Sequence, residues 1–385
     1  MQSHSSLGGI ASLALLLCSA VFAAPATDVR VLSIPHALNP YPTKPRLTFK
    51  PDGTFKITVF SDLHYGENAW DTWGPQQDVN SSRLMRTVLA DEKPDFVVVN
   101  GDLITGENTF RENSTVYVDQ IIAPLNEVKV PFCSTHGNHD NQANITHLEE
   151  IIKEQRDAPL SYTRTAPPGV GGEYGPGTYW VPIYAHPKDF RPALILWAFD
   201  SRGGWSAGAS SAPLPDWVDA SVATWIEDET RLMDSVWGPA DETRGSLAFV
   251  HIPPHVVQSV WEHLNSTINP GLNADSLGLG STQAANNPGS DQPFWDALNA
   301  NVKNLHAVIS GHDHGDEWCA REPTKNVIFC FDKHSGYGGY SSDGWDHGVR
   351  NIVFSTPDPS IGPESWIRLE GGEIRARVTL DDSYP

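Results

Sequence analysis

The chain has 385 residues, enough for one large hydrophobic core or two modest ones. A hydrophobic fraction of 39% excludes a wholly disordered protein. The net charge of −21, from 47 acidic against 26 basic residues, disfavours nucleic acid and anionic membrane as partners. Much of that acidity reads as solvated surface. The 13 tryptophans, 30 prolines and 32 glycines suggest a loop-rich protein with aromatic-lined clefts, although core filling accounts for most of the tryptophans.

Residues 1–23 read as a signal peptide. The largely apolar run from Ile10 ends in Val21-Phe22-Ala23-Ala24, which suits signal peptidase, although no Lys or Arg precedes it. It is short of the ~20 apolar residues that a transmembrane helix needs. The expected address is therefore the outside of the cell, or a secretory lumen or vacuole, without stable membrane insertion. Sequons at Asn80, Asn113, Asn144 and Asn265 fit that route. Residues 24–54 read as an N-terminal arm, Pro-rich as far as Pro51, lying over a domain that spans 55–385.

Phe55 to Phe60 reads as a strand delivering Asp62 and His64 at its C-terminal end. Helical spacing follows over Asn80 to Glu92, stopped by Pro94. The apolar run Asp95 to Asn100 is a buried strand of parallel-sheet type, and it delivers Gly101-Asp102. A helix from Thr115 to Val128, bent or capped at Pro124, leads to a strand at Pro131 to Thr135. The turn Gly137-Asn138-His139-Asp140 comes next. Two strand–helix–strand units with polar residues at strand C-termini match the place where open α/β sheets bind ligands.

Ile145 to Arg156 is amphipathic, and Ala158 to Gly177 is a Pro/Gly-rich insertion without core pattern. Strands are expected over 178–184 and 193–199, and a helix over 217–237. Gly245 to Val250 delivers His251, and Leu305 to Ile309 delivers Gly311-His312-Asp313-His314. The small, polar stretch 273–290 reads as a mobile loop. Strands near Val327, Ile352 and Ile374 close a second sheet. His255, four residues after His251, reads as structural, because Pro253 and Pro254 forbid a helical pair of metal-binding histidines. Cys319 and Cys330 flank a turn-rich stretch and are placed to form a disulfide. Cys133, on a buried strand, acts as a small hydrophobe.

In this order, D-x-H, G-D, G-N-H-D, a lone His and G-H-x-H resemble the calcineurin-like metallophosphoesterase superfamily from about Phe55 to Tyr340. The resemblance implies an α/β four-layer sandwich, with two mixed β-sheets face to face and helices outside. It implies two divalent or trivalent metal ions of iron, zinc or manganese, which the mix of imidazole, carboxylate and amide suits. Asp102 would bridge them. Asp62, His64 and His314 would complete one shell, and Asn138, His251 and His312 the other. A hydroxide bridging the ions would attack the phosphorus of a phosphorylated substrate. His139 would then stabilise or protonate the leaving oxygen, with Asp140 fixing its tautomer.

The implied activity is hydrolysis of phosphate monoesters, on a phosphoprotein or a small metabolite. Phosphodiester hydrolysis at the same centre is the alternative, and a non-catalytic secreted metal-binding glycoprotein a third reading. The chain resembles the fungal and plant phosphatases of D-x-H type, related to the purple acid phosphatases. It departs from the purple enzymes at His64, where they have Gly, and at Thr105, where they have a tyrosine ligand. The aromatic, Gly-rich stretch His334 to Tyr340 is expected to border the phosphate pocket, with Tyr65, Trp70 and Trp73 opposite. Packing of the loop against the sheet would explain those aromatics equally well.

Overall fold

A computed structural model describes residues 38–385 apart from Glu242, so the leader expected over 1–23 lies outside the described residues. Two mixed sheets stack face to face. One has six strands: β2 (Phe55–Phe60), β3 (Phe96–Asn100), β4 (Phe132–Thr135), β11 (Gly348–Phe354), β12 (Glu364–Leu369) and β13 (Ile374–Thr379), in the order β13-β12-β11-β2-β3-β4. The other has seven: β1 (Leu47–Thr48), β5 (Tyr179–Tyr184), β6 (Leu194–Phe199), β7 (Gly245–Val250), β8 (Leu305–Ser310), β9 (Cys319–Glu322) and β10 (Val327–Phe331), in the order β1-β5-β6-β7-β8-β10-β9. β2, β3 and β4 run parallel, as do β6, β7 and β8.

Period-2 alternation explains the layers. Phe96 and Val98 of β3 face the core between the sheets, where they join Leu194, Leu196, Leu247 and Phe249. Their neighbours Val97 and Val99 face the other way, against Leu84, Val88, Ile121 and Leu125. Those four lie on helices α1 (Gly74–Glu92) and α2 (Ser114–Val128). On the seven-stranded sheet, Ile195, Trp197 and Phe199 pack outward onto Trp225, Ile226, Phe294 and Leu298. These belong to α4 (Ser221–Trp237) and α5 (Gln292–Asn301). The order helix, sheet, sheet, helix is the expected sandwich.

Several local expectations shift. α1 starts at Gly74 rather than Asn80, with Pro75 in its first turn, where a fixed φ suits helix entry. α3 (His147–Asp157) is fixed by a capping box between Thr146 and Glu149. The strands near Ile352 and Ile374 belong to the sheet of β2, since Ile352 pairs with Ile57, and only the Val327 strand extends the other sheet. The core also begins before Phe55. Leu47 and Thr48 pair with β5, and Tyr41 and Phe49 are buried. Residues 273–290 are irregular, as expected, but they are anchored. Gln283 is fully buried, accepting from the Val218 N–H and donating to the Ile252 carbonyl. Among the described residues no helix is long and apolar enough to cross a membrane.

Cys319 and Cys330 sit opposite each other on the β9–β10 hairpin and are bonded, while Cys133 is free and buried. Peptide mapping without reductant should recover 319 and 330 as one linked pair. Closing so short a loop is worth ~3 kcal/mol or less in the chain-entropy account. Cys319→Ser should therefore lower stability in denaturant by up to that amount.

Candidate metal centre

Strand ends of both sheets meet at one point. β2 runs into Asp62 and His64, β3 into Asp102, β4 into Asn138 and His139, β7 into His251, and β8 into His312 and His314. Asp62, His64, Asp102, His251 and His314 are each 2% exposed or less. Asp62, His64, Asp102 and His312 have φ between 46° and 77°. That left-handed backbone costs a non-glycine residue ~1–3 kcal/mol and aims these side chains inward rather than along the sheet faces. Gly137 leaves the necessary room, since a Cβ there would lie 2.3 Å from Asp102 Oδ1 and 2.4 Å from His251 Cδ2.

Hydrogen bonds decide which nitrogen of each ring faces the centre. His251 Nδ1–H donates to the Asn100 carbonyl at 2.8 Å and His314 Nδ1–H to the Tyr340 carbonyl at 2.6 Å. His64 Nδ1 lies 3.0 Å from Thr105 Oγ1, whose own hydrogen goes to Glu67 Oε2 at 2.6 Å, so His64 must donate there. A neutral ring donating from Nδ1 keeps its lone pair on Nε2. His312 is inverted: Nε2–H donates to the Gly280 carbonyl at 2.9 Å, which leaves the lone pair on Nδ1.

The lone pairs converge on carboxylates and on one another. His64 Nε2 and His314 Nε2 are 3.2 Å apart, and His251 Nε2 is 3.0 Å from Asp102 Oδ2. Asn138 Oδ1 is buried with no hydrogen-bond partner. Acceptors facing acceptors repel unless positive charge lies between them. Burial pushes His64 down to about 3 and His312 to about 4, so both stay neutral and able to coordinate. Burial also opposes charge on His251, yet Asp102 and Asp62 outweigh it and raise that ring to about 10. Carboxylates that favour a proton there would favour a metal cation in its place. The candidate donor atoms fall into two groups, Asp62 with His64 and His314, and Asp102 with His251 and His312.

A family model described as calcineurin-like phosphoesterase matches residues 55–316. The chain belongs to the calcineurin-like phosphoesterase family. It is 28% identical over 351 residues to a protein named probable inactive purple acid phosphatase 14 from Arabidopsis thaliana, covering 84% of this chain and 83% of that one. It is also 28% identical over 348 residues to phosphatase DCR2 of Saccharomyces cerevisiae, covering 85% of this chain and 55% of the yeast protein. A dimetal phosphatase from Danio rerio, 13% identical, superposes with a TM-score of 0.51 over 86% of this chain and all of its own, a likeness of fold alone.

A cavity of about 360 Å³ opens over the candidate donor side chains, lined by Glu67, Glu107, His139, Gly339 and Tyr340 among others. The expected role of Asp140 is corrected here. Its carboxylate accepts from the Gly137 and Ile104 backbone N–H groups, at 2.8 and 3.1 Å, and so braces the turn. Glu107 holds the His139 ring instead, through Nδ1 at 2.6 Å. Burial opposes a charge on His139, but Asp102 and Glu107 raise it to about 9, which leaves a proton on Nε2. Of the two readings open for Tyr65, the structure shows packing: it is fully buried with its hydroxyl against Ser82, and it does not line the cavity. Trp70 and Trp73 are exposed. His255 is held by Asp291 and Thr282, a structural role.

Reasoning from sequence missed the support behind the turn. His147 is fully buried, with Nδ1 3.0 Å from Asp200 Oδ2 and Nε2 2.8 Å from the Gly137 carbonyl, so both nitrogens donate. Burial disfavours that charge, but Asp200 outweighs it and raises the ring above its ordinary value. Removing one member of a buried pair typically costs ~3–5 kcal/mol. His147→Ala should lose about that much in urea unfolding near pH 6. Because the folded-state value is raised, the contribution is complete below ~6.5 and fades as pH rises through the folded value. The gap between parent and variant should therefore narrow with increasing pH.

Proposed function

We propose that the chain is a metal-dependent phosphatase acting on phosphate monoesters. Asp62, His64 and His314 would hold one cation, Asn138, His251 and His312 a second, and Asp102 would be shared. The observation that carries the reading is the way the rings are held: four imidazoles, each fixed by a hydrogen bond on its far side, are gathered at one place with two carboxylates and a partnerless amide oxygen. That donor set fits iron, zinc or manganese. Bound there, two such ions would supply Lewis acidity towards phosphoryl oxygens and a nucleophile drawn from water.

The chain's own residues would do the rest. The left-handed turns hold the ligands rigid, and the Thr105–Glu67 pair keeps His64 in its coordinating tautomer. His139 would present its Nε2 proton to the leaving oxygen, with Glu107 fixing the ring and Asp140 fixing the turn that carries it. The plant relatives are named inactive, yet this chain retains every ligand position of the motif set. The leader-like sequence, the sequons and the Cys319–Cys330 bond support passage through the secretory route to the exterior or a vacuole.

Elemental analysis after reconstitution with zinc, manganese or iron should give two ions per chain, and saturation at one would end the dinuclear reading. The ferric form should lack a tyrosinate band in the visible. Thr105 replaces the tyrosine ligand, and the Tyr340 hydroxyl, bonded to Asp275 and to the His314 N–H, stays a phenol.

General acids contribute ~10²–10⁴-fold. His139→Ala should lose that much in kcat on alkyl phosphates and far less on nitrophenyl phosphate, whose phenolate leaves unaided. Metal content should stay at two. Equal losses on both substrates would make His139 a phosphate-binding group instead, and turnover of a diester panel alone would reverse the monoester assignment.

A further inference from the structure

Among the described residues the cavity over the candidate donor side chains is lined by no Lys or Arg, an unusual composition for a site meant to receive an anion. Its wall carries two carboxylates instead. Glu67 cannot swing away, because Thr105 donates to its Oε2, and Asn68 and Asn108 donate to its Oε1 at 3.0 and 3.4 Å. Glu107 engages His139 through Oε1, and its side chain is 40% exposed. The Tyr340 ring also lines the cavity. One face stacks on His314 at 4.0 Å and 11°, its hydroxyl is tied to Asp275 and the His314 N–H, and the residue is 50% exposed. Anchored carboxylates beside a half-exposed aromatic ring are what an ammonium group selects. The surroundings reinforce this, since the whole chain carries a net charge of −21.

Resting on the phosphatase reading above, we infer that the preferred substrates are small phosphate monoesters whose alcohol carries a cation, of the amino-alcohol phosphate type. The phosphate would be taken by the candidate metal centre, and the ammonium by Glu67, Glu107 and Tyr340. At about 360 Å³ the cavity is near the lower end of ligand pockets, about 300–1,000 Å³, which suits a short amino alcohol. Substrates with further negative charge beside the ester would meet the two carboxylates and be turned away.

The test is a matched pair: phosphocholine and 3,3-dimethylbutyl phosphate, which have the same shape with carbon in place of the charged nitrogen. On the metal-loaded full chain, kcat/KM should favour phosphocholine at least tenfold. That ratio should fall towards one in Glu67→Gln, Glu107→Gln and Tyr340→Leu, and with rising salt. These substitutions will also slow both substrates, because they touch the support of His64, His139 and His314, but the ratio divides that loss out. Calorimetric titration with the corresponding non-hydrolysable phosphonates should give the same preference in Kd. Equal kcat/KM for the two esters in the parent overturns this inference alone. Failure to turn over either ester removes the phosphatase reading and this inference with it. A strong preference for phosphoserine peptides over both would assign recognition to a protein substrate and also overturn it.

Discussion

The structure depends on one electrostatic constraint: lone pairs and negative charge are gathered at a buried point and held there by hydrogen bonds on their far sides. Each ring is pinned from behind, by the Asn100 carbonyl, the Tyr340 carbonyl, the Gly280 carbonyl or the Thr105 hydroxyl. None can rotate to relieve the repulsion without abandoning a good donor contact. The cost is met by the surrounding scaffold, where parallel strands of two sheets end and packed layers on both faces leave the backbone little freedom.

That dependence explains what could be read from residues alone. Strands buried on both faces appear as apolar runs, so β3, β6 and β7 were visible, and a polar residue directly after such a run stands out. Asp62, Asp102, His251 and His312 were found in this way. The partners behind them were not. Glu107 follows Asp102 on a 3-10 turn, and only the conformation of that turn brings it to His139 rather than to solvent. Asp140 is next to His139 in the chain, which made it the natural partner, but a tight turn sends adjacent side chains in different directions and leaves Asp140 facing amides. His147 opens a helix and carries no motif. Its role comes from Asp200, which directly follows β6 of the other sheet.

The acidic composition also means something different once folded. Taken as surface, it argues only about solubility and partners. Yet Asp140, Glu150, Glu154, Asp200, Glu317 and Asp332 are all essentially buried, and several touch cationic or donor groups. Glu154 accepts from Ser134, Ser161 and Thr163, and Glu317 pairs with Arg375. Burial raises Asp332 to about 8 despite the bond from Asn100 and the nearby Arg350. A share of the acidic side chains is therefore an interior framework on which the turns hang.

His64 and His314 touch across a separation of 250 positions in the chain, as do Asp62 and the His312 amide. Joining segments so far apart costs loop-closure entropy that only the finished stack of sheets returns. Each donor group joins residues from both halves of the chain, so no short fragment carries either group complete. Ion uptake would then act as a checkpoint on completed folding: a chain whose second sheet had not docked could fold its first sheet and still offer the cell nothing to load.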